Sequence, residues 1–205
     1  MKKKISLVII ILTILLIANV VYASTLGYTT IGASEYQTGT PGSQNPAGLM
    51  ITVPSAGTIS KISAHVRNNN STVALAARLY AGSAGSLGSL IATTQTSNVT
   101  TSYAWVDFTF ATPQSVSATT YWIEFVGDGG NGPGGNLSFI HFDGGGASNT
   151  GFTKNDFGVP VYDGNQYSIY ATYTATGGSS PTTATVEIKN SSVVITNGGV
   201  LIKQP

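Results

Sequence analysis

Apolar residues recur at every second position along most of this chain, and this period of two is what most constrains its fold. Ile62, Ala64 and Val66 alternate with polar residues, and residues 73–79 repeat the apolar spacing. A period of two places alternate side chains on opposite faces of a β-strand. The triplet Asn68-Asn69-Asn70 between the two segments indicates a turn, because asparagine tolerates positive φ. We therefore predict two strands, each with one buried face.

Five further stretches have the composition of short strands, and no stretch has the 3.6-residue period of an amphipathic helix. Glycine-rich or proline-containing breaks separate them at residues 82–88, 127–135 and 144–146. Many short strands without intervening helices are typical of two antiparallel sheets packed face to face. We predict an all-β fold, an antiparallel two-sheet β-sandwich of the jelly-roll kind. The further predicted strands cover residues 90–93, 105–110, 121–126, 137–142 and 167–174.

Residues 1–23 have the organisation of a secretory signal peptide. Lysines at positions 2–4 precede an apolar run over residues 5–21, and a small-x-small cleavage motif ends at Ala23. We expect a mature chain that begins at Ser24 and is secreted or held at the cell surface. The alternative is a retained membrane anchor, because a run of about 17 residues is close to the shortest that spans a bilayer. The lack of a basic flank after Ser24 favours cleavage.

The composition of the mature chain excludes several classes of function. Without the leader lysines, six basic residues face eight acidic ones, so the net charge is near −2 and the cations are scattered. A nucleic-acid partner needs a clustered basic patch, and we expect none. Cysteine is absent. No disulfide or thiolate chemistry is therefore available, and packing alone must stabilise the fold.

Several strand sequences resemble a group of extracellular jelly-roll modules, similar to carbohydrate-binding modules, that recur in secreted microbial proteins and virion appendages. The resemblance covers about residues 26–174 and consists of structural signatures. It implies a non-catalytic binding or display domain, but it names no ligand and assigns no binding residue. The segments that carry it are Leu79-Tyr80, Gly85-Ser86-Leu87, Leu90-Ile91-Ala92, Trp105-Val106-Asp107-Phe108-Thr109-Phe110, Thr120-Tyr121-Trp122-Ile123-Glu124-Phe125 and Tyr167-Ser168-Ile169-Tyr170-Ala171-Thr172-Tyr173.

Both tryptophans share a predicted strand face with a carboxylate. Trp105 and Asp107 lie opposite the apolar set of their strand, and Trp122 and Glu124 lie opposite the apolar set of theirs. If the two strands lie in one sheet, this face combines flat aromatic surface with hydrogen-bond acceptors, as a sugar requires. The four residues are therefore our candidate ligand-binding set. The alternative is that loops cover this face and are anchored by the tryptophans.

Candidate metal ligands are confined to two turn-like segments. Asp128 and Asn131 lie in a glycine-rich segment, and Asp163 and Asn165 flank a glycine. We expect no cofactor other than calcium, which such oxygen donors suit, although no recognised calcium-loop spacing is present. The same residue types also simply make turns. His141 is interpreted as structural, since the chain lacks the further ligands of a transition-metal site.

The C-terminal segment has a separate pattern. Residues 177–183 read as a Gly/Ser/Pro linker, and residues 184–205 repeat a short β-strand and a turn every seven residues. Three such strands bury little apolar surface by themselves, so we expect their edges to pair with other strands. A trimeric β-prism, one coil of a triangular β-helix, strand donation to a neighbouring subunit or a meander folded onto its own sandwich would each satisfy them.

These observations predict a secreted, non-catalytic module that binds or displays. Its expected partners are carbohydrate or neighbouring copies of the same chain, in a homo-oligomer, with no membrane contact after leader cleavage. The alternative is a structural subunit of an extracellular filament, surface layer or virion appendage assembled through the C-terminal repeat. A hydrolase would need two opposed acids such as Asp107 and Glu124, and acids on a sheet surface are usually only solvated.

Overall fold

The computed structural model describes residues 23–38, 45–127, 137–155 and 159–176, together with the backbone of three strands between 184 and 203. These residues contain strands and no helix, and none of them forms a membrane-spanning helix. The predicted leader lies outside the described residues except for Ala23, which begins β1. The sandwich strands are β1 (Ala23–Gly27), β2 (Ser34–Gln37), β3 (Ala47–Thr52), β4 (Gly57–Asn68), β5 (Val73–Ser83), β6 (Ser86–Thr93), β7 (Ser97–Val99), β8 (Ala104–Val116), β9 (Thr120–Val126), β10 (Ser138–Asp143), β11 (Gly151–Lys154), β12 (Pro160–Asp163), β13 (Gln166–Tyr167) and β14 (Ile169–Ala175).

These strands form two antiparallel sheets of seven strands each, packed against one another. In the first sheet the hydrogen-bonded order is β1-β14-β4-β10-β13, with β8 also on β4 and β2 also on β10. In the second sheet the order is β12-β11-β3-β9-β5-β6, with β7 also on β5. The predicted all-β antiparallel sandwich is confirmed. Strand adjacency could not be predicted, because alternation shows which side of a strand is buried and not which strand lies beside it.

The alternating apolar residues form the core between the sheets. Ile62, Ala64 and Val66 of β4 are fully buried, and Ile123 of β9 faces them from the other sheet with no exposed surface. Phe108 of the first sheet meets Phe125 of the second, with ring centroids 5.7 Å apart. Aromatic and aliphatic side chains of this size dominate the free energy of core burial. Because the inner faces are saturated with apolar groups, polar chemistry is left to the outer faces.

The predicted strands are present, but one predicted break is much shorter than expected. The glycine-rich residues 82–88 are not a loop: β5 continues to Ser83, β6 starts at Ser86, and these two residues pair across a two-residue turn. Gly85 has a φ of 69°, which explains the need for glycine in the turn. The alternating pattern did not predict six of the sandwich strands. These strands are short, so they contain few residues in which alternation could be seen: β1, β2, β3, β7, β11 and β12.

The C-terminal repeat forms its own three-stranded antiparallel meander. Its strands are β15 (Ala184–Ile188), β16 (Ser191–Thr196) and β17 (Gly199–Lys203), with β16 in the centre. Within the part of the chain that the structure describes, none of the three hydrogen-bonds to a sandwich strand. The predicted linker at 177–183 lies outside the described residues. The β16 strand is paired on both sides, so β15 and β17 are the edges of this sheet.

Candidate ligand-binding face

The structure separates the two tryptophans that the sequence placed together. Trp105 lies on β8 in the first sheet, and Trp122 lies on β9 in the second. The condition for a shared face was that both strands belong to one sheet, and it is not met. The prediction of one continuous site is therefore wrong, because each strand joins a different layer of the sandwich. For the same reason Asp107 and Glu124 do not form an opposed pair on one surface.

Trp122 is buried on the outer side of the second sheet. It has no exposed surface, and its indole Nε1 donates to the backbone oxygens of Ser83 and Ser86 at 3.0 and 3.1 Å. Phe152 meets the indole edge-on, with ring centroids 5.2 Å apart. Tyr162 contacts both rings. Side chains of β6, β11 and β12, which belong to the same sheet, therefore cover Trp122, whereas the alternative stated from the sequence had loops in this role.

Glu124 is buried beside Trp122 in a network of charges. Its side chain has no exposed surface, and Lys154, Arg78 and Tyr80 contact the carboxylate. The Tyr80 hydroxyl donates to Oε2 at 3.0 Å, and Arg78 Nη1 lies 3.5 Å from the same oxygen. A buried carboxylate is tolerated only when such partners replace its water. Gly48 lies directly opposite Glu124 on β3, and the Phe152 ring lies where a side chain at position 48 would stand.

Trp105 and Asp107 lie on the outer face of the first sheet, where side chains remain partly accessible. Asp107 pairs with Ser63 across the strands, and Trp105 pairs with His65. The side chain of Asp107 is 51% exposed and that of Lys61 is 33% exposed. Half of the predicted ligand-binding set is thus on an accessible surface, and the other half is covered.

The structure adds further aromatic rings to this face. Trp105 lies against Tyr170 of β14, with ring centroids 5.1 Å apart, and against His65 at 5.4 Å. Tyr103, just before β8, stacks on His141 at 4.0 Å and on His65 at 5.5 Å. We call Tyr103, Trp105 and Tyr170 the aromatic platform. All three rings are partly exposed, and the two imidazoles lie next to them.

Two ion pairs border the aromatic platform. On one side Lys61 Nζ binds Asp107 Oδ2 at 2.5 Å, and Ser63 donates to Oδ1 at 2.6 Å. Partial burial raises the pKa of Asp107, but the two hydrogen bonds and the charge of Lys61 outweigh it, so the net pKa is lowered. On the other side Arg67 lies 3.4 Å from Glu35, whose side chain is 46% exposed. The platform therefore has hydrogen-bonding groups at both ends.

Arg67 also orders the platform. Its guanidinium lies over the Tyr103 ring at 5.1 Å and over the Phe139 ring at 4.2 Å. Such cation–π contacts hold a planar guanidinium against aromatic surface. Burial raises the pKa of Tyr103 to about 12, against the smaller lowering effect of Arg67. The Tyr103 hydroxyl is therefore neutral at physiological pH.

The candidate metal residues fall into two groups. Asp128 and Asn131 lie outside the described residues. Asp163 and Asn165 do lie together, but the Asp163 carboxylate accepts hydrogen bonds from the Asn165 backbone at 2.9 Å and from the Tyr167 hydroxyl at 3.0 Å. Among the described residues, no group of three or more His, Cys, Asp or Glu side chains is placed to hold a metal ion. Asp163 and Asn165 have the contacts of a turn.

Sequence reasoning found Trp105 and Asp107 but missed most of their neighbours. Tyr103 was recoverable, because it lies two residues before Trp105 and so belongs to the same face. Other strands bring Tyr170, Glu35 and His65 to the face, and no local sequence pattern predicts which strands are adjacent. The sequence predicts a structural role for His141, and its ring lies inside the cluster, packed on Tyr103.

Comparisons with known proteins add little to this picture. No protein-family model matches the sequence, and no curated protein matches it. One solved structure, that of infectious bursal disease virus Gt strain, aligns with 77% of this chain at 13% identity and a TM-score of 0.33. The chain spans 42% of the length of that chain. A TM-score this low does not assign the chain to a family. The class of protein is therefore defined by its own strands and outer face: it is a two-sheet all-β sandwich with an accessible aromatic surface.

Proposed function

We propose that this protein is a secreted, non-catalytic module that binds glycans on the outer face of its first sheet. The observation that carries the proposal is the aromatic platform, with Trp105 and Tyr170 in contact and ion pairs at both ends. The resemblance of its strand sequences to extracellular jelly-roll modules and the signal-peptide-like leader support the same interpretation. Trp122 and Glu124 are not part of the proposed site, because both are fully buried.

The chemistry of this face suits a neutral sugar. The C–H faces of a pyranose ring pack on indole and phenol rings, and its hydroxyls exchange hydrogen bonds with carboxylates and cationic side chains. Asp107 offers acceptor oxygens, and Lys61 and Arg67 offer donors. Each of these charges already has a partner of opposite sign. The face therefore offers hydrogen bonds without a net charge that would select an acidic ligand.

A glycan array tests this function. Labelled wild-type protein should bind a subset of neutral glycans, and Trp105→Ala should lower the signal at least about tenfold, since stacked aromatic groups dominate such interfaces. Leu90→Ala is the matched control, because Leu90 is a 51% exposed apolar residue of the second sheet. It should bind like wild type. An array without signal, or equal binding by Trp105→Ala and wild type, would remove the proposal.

A second candidate function is that of a structural subunit. The three-stranded C-terminal sheet supports it, because among the described residues its edge strands β15 and β17 are each paired on one side only, and such edges can pair with strands of other copies. Deleting residues 177–205 and measuring the mass in solution separates the two functions. A structural subunit should lose its oligomer, whereas a glycan-binding module should keep its binding on the array.

A further inference from the structure

The two imidazoles beside the aromatic platform share a direct contact. His65 Nδ1 and His141 Nδ1 lie 2.8 Å apart, which is hydrogen-bond distance. Two ring nitrogens at that distance need one proton between them, so one nitrogen donates and the other accepts. If both nitrogens carry protons, the hydrogen bond is replaced by a contact between two N–H groups. The pair therefore tolerates one charged ring but not two.

The acidic groups around the pair lie on the side of His141. His141 Nε2 lies 3.9 Å from the Glu35 carboxylate, and Asp143 also interacts favourably with a charged His141. Arg67, which is paired with Glu35, opposes that charge. The titratable and charged groups that face the pair or border it are Glu35 from β2, Arg67 from β4, Tyr103 and Asp107 from the β8 side, Asp143 from β10 and Tyr170 from β14.

The second proton taken up by the pair goes to His65, and the surroundings of His65 disfavour its charged form. It is 7% exposed, lying between the sheet and Tyr103. Burial, together with the charge of His141, lowers the pKa of His65. His65 is therefore protonated at a pH below the ordinary histidine range of about pH 6.5. When this second proton arrives, the rings that Tyr103 and Trp105 pack on must move apart.

We propose that His65 and His141 form an acid-operated latch: their shared hydrogen bond holds Tyr103 and Trp105 in the platform at neutral pH, and acidification breaks the bond and releases both rings. Weaker glycan binding in acid follows from the latch, and this consequence alone rests on the proposed function.

The latch can be tested without any ligand, because the chain contains only two histidines and two tryptophans. Every imidazole signal in an NMR titration therefore comes from the latch. We expect the two rings to take up protons in separate steps, with the second step, that of His65, below the ordinary histidine range of about pH 6.5. Trp105 emission should change at the second step, because a charged imidazole arises next to its indole. Trp122 is fully buried in the other sheet and should not respond.

Three variants make the test specific. In His65→Gln the emission change should disappear, because the imidazole next to Trp105 is gone. In His141→Gln the emission change should remain but move to higher pH, because the charge of His141 no longer lowers the pKa of His65. Trp105→Phe should remove the emission change and leave both imidazole steps intact. If the two histidines of the wild type instead titrate together near about pH 6.5, with no change in emission, the latch is overturned.

The glycan array then tests the consequence. Probed at about pH 7.5 and about pH 5, the wild type should lose about tenfold in signal, which is what one hydrogen bond of about 1.4 kcal/mol supplies. His65→Gln should lose much less between the same two values. An array that is empty at both values overturns the glycan function and leaves the latch to the titration. Equal binding at both pH values, together with separate titration steps for the two imidazoles, would overturn the proposal that acid releases the platform rings.

Discussion

Two strands of this protein carry the same short motif, but one copy is exposed and the other is buried. Trp105 and Asp107 on β8 and Trp122 and Glu124 on β9 are each a tryptophan followed two residues later by an acid. On β8 the motif faces outwards, with Asp107 51% exposed; on β9 the motif is covered, with Glu124 fully buried. The difference lies in what packs over each outer face.

The outer face of the second sheet is covered around Trp122 by side chains from strands of the same sheet. Tyr162 of β12, Phe152 of β11 and Leu87 of β6 pack on Trp122, and Tyr162 also hydrogen-bonds to the backbone of Leu87. The outer face of the first sheet keeps its charged groups in contact with water. An outward-facing tryptophan is thus equally suited to fastening one segment over another and to meeting a ligand, and its strand alone does not decide which.

The largest expected difference concerns the two indoles. Trp122→Ala should lower the free energy of unfolding by about 4 kcal/mol, because it leaves a cavity and removes two hydrogen bonds. Trp105→Ala should cost about 1 kcal/mol, since its ring is partly exposed. Urea unfolding of both variants measures the two values. Equal losses would show that the two tryptophans are not different in role.

The two carboxylates should differ nearly as much. Lys154→Met leaves Glu124 without its closest cation and should cost about 3 kcal/mol, whereas Lys61→Met beside exposed Asp107 should cost less than about 1 kcal/mol. The double variant Glu124→Gln with Lys154→Met should be more stable than Lys154→Met alone, because a neutral amide then replaces a buried carboxylate that has only Arg78 as its cation. A double variant less stable than the single one would contradict this account of the buried network.

The pH dependence of stability should originate on the open face. The pKa of His65 is lower in the folded state than in the unfolded state, so below about pH 6.5 the unfolded chain binds more protons. The stability that His65 contributes should therefore be complete above about pH 6.5 and decline as the pH decreases towards the pKa of folded His65. Thermal unfolding of wild type and His65→Gln between about pH 7.5 and about pH 5 measures this, and the variant should show the smaller decline.

The smallest effect should come from the exposed ion pair. Asp107→Asn should change the free energy of unfolding by less than about 1 kcal/mol, and added salt should shrink the difference further. Glu124→Gln serves as the comparison, because a buried pair is screened far less by salt. Urea unfolding in low and high salt distinguishes them. A large, salt-independent loss in Asp107→Asn would mean that this carboxylate is held as tightly as Glu124.

Much of the fold, and half of the candidate site, could be predicted from local pattern. The alternation at 62–66 and 73–79 located β4 and β5, and the same reasoning placed Trp105 and Asp107 on an outer face. It placed Trp122 and Glu124 on an outer face as well, correctly, but it could not show that Phe152 and Tyr162 cover them. The short strands β11 and β12 that carry these two rings contain too few residues to reveal a period.

Local pattern is sufficient for the class of architecture and for the inward or outward direction of side chains in the predicted strands, because these follow from the local geometry of extended backbone. Three facts emerge only when the whole chain is folded: β8 and β9 belong to different sheets, one tryptophan is covered, and His65 and His141, 76 positions apart, share a hydrogen bond. Those outcomes depend on which strands pair and on what packs over a sheet. Long-range contacts set both, and no short window of sequence contains them.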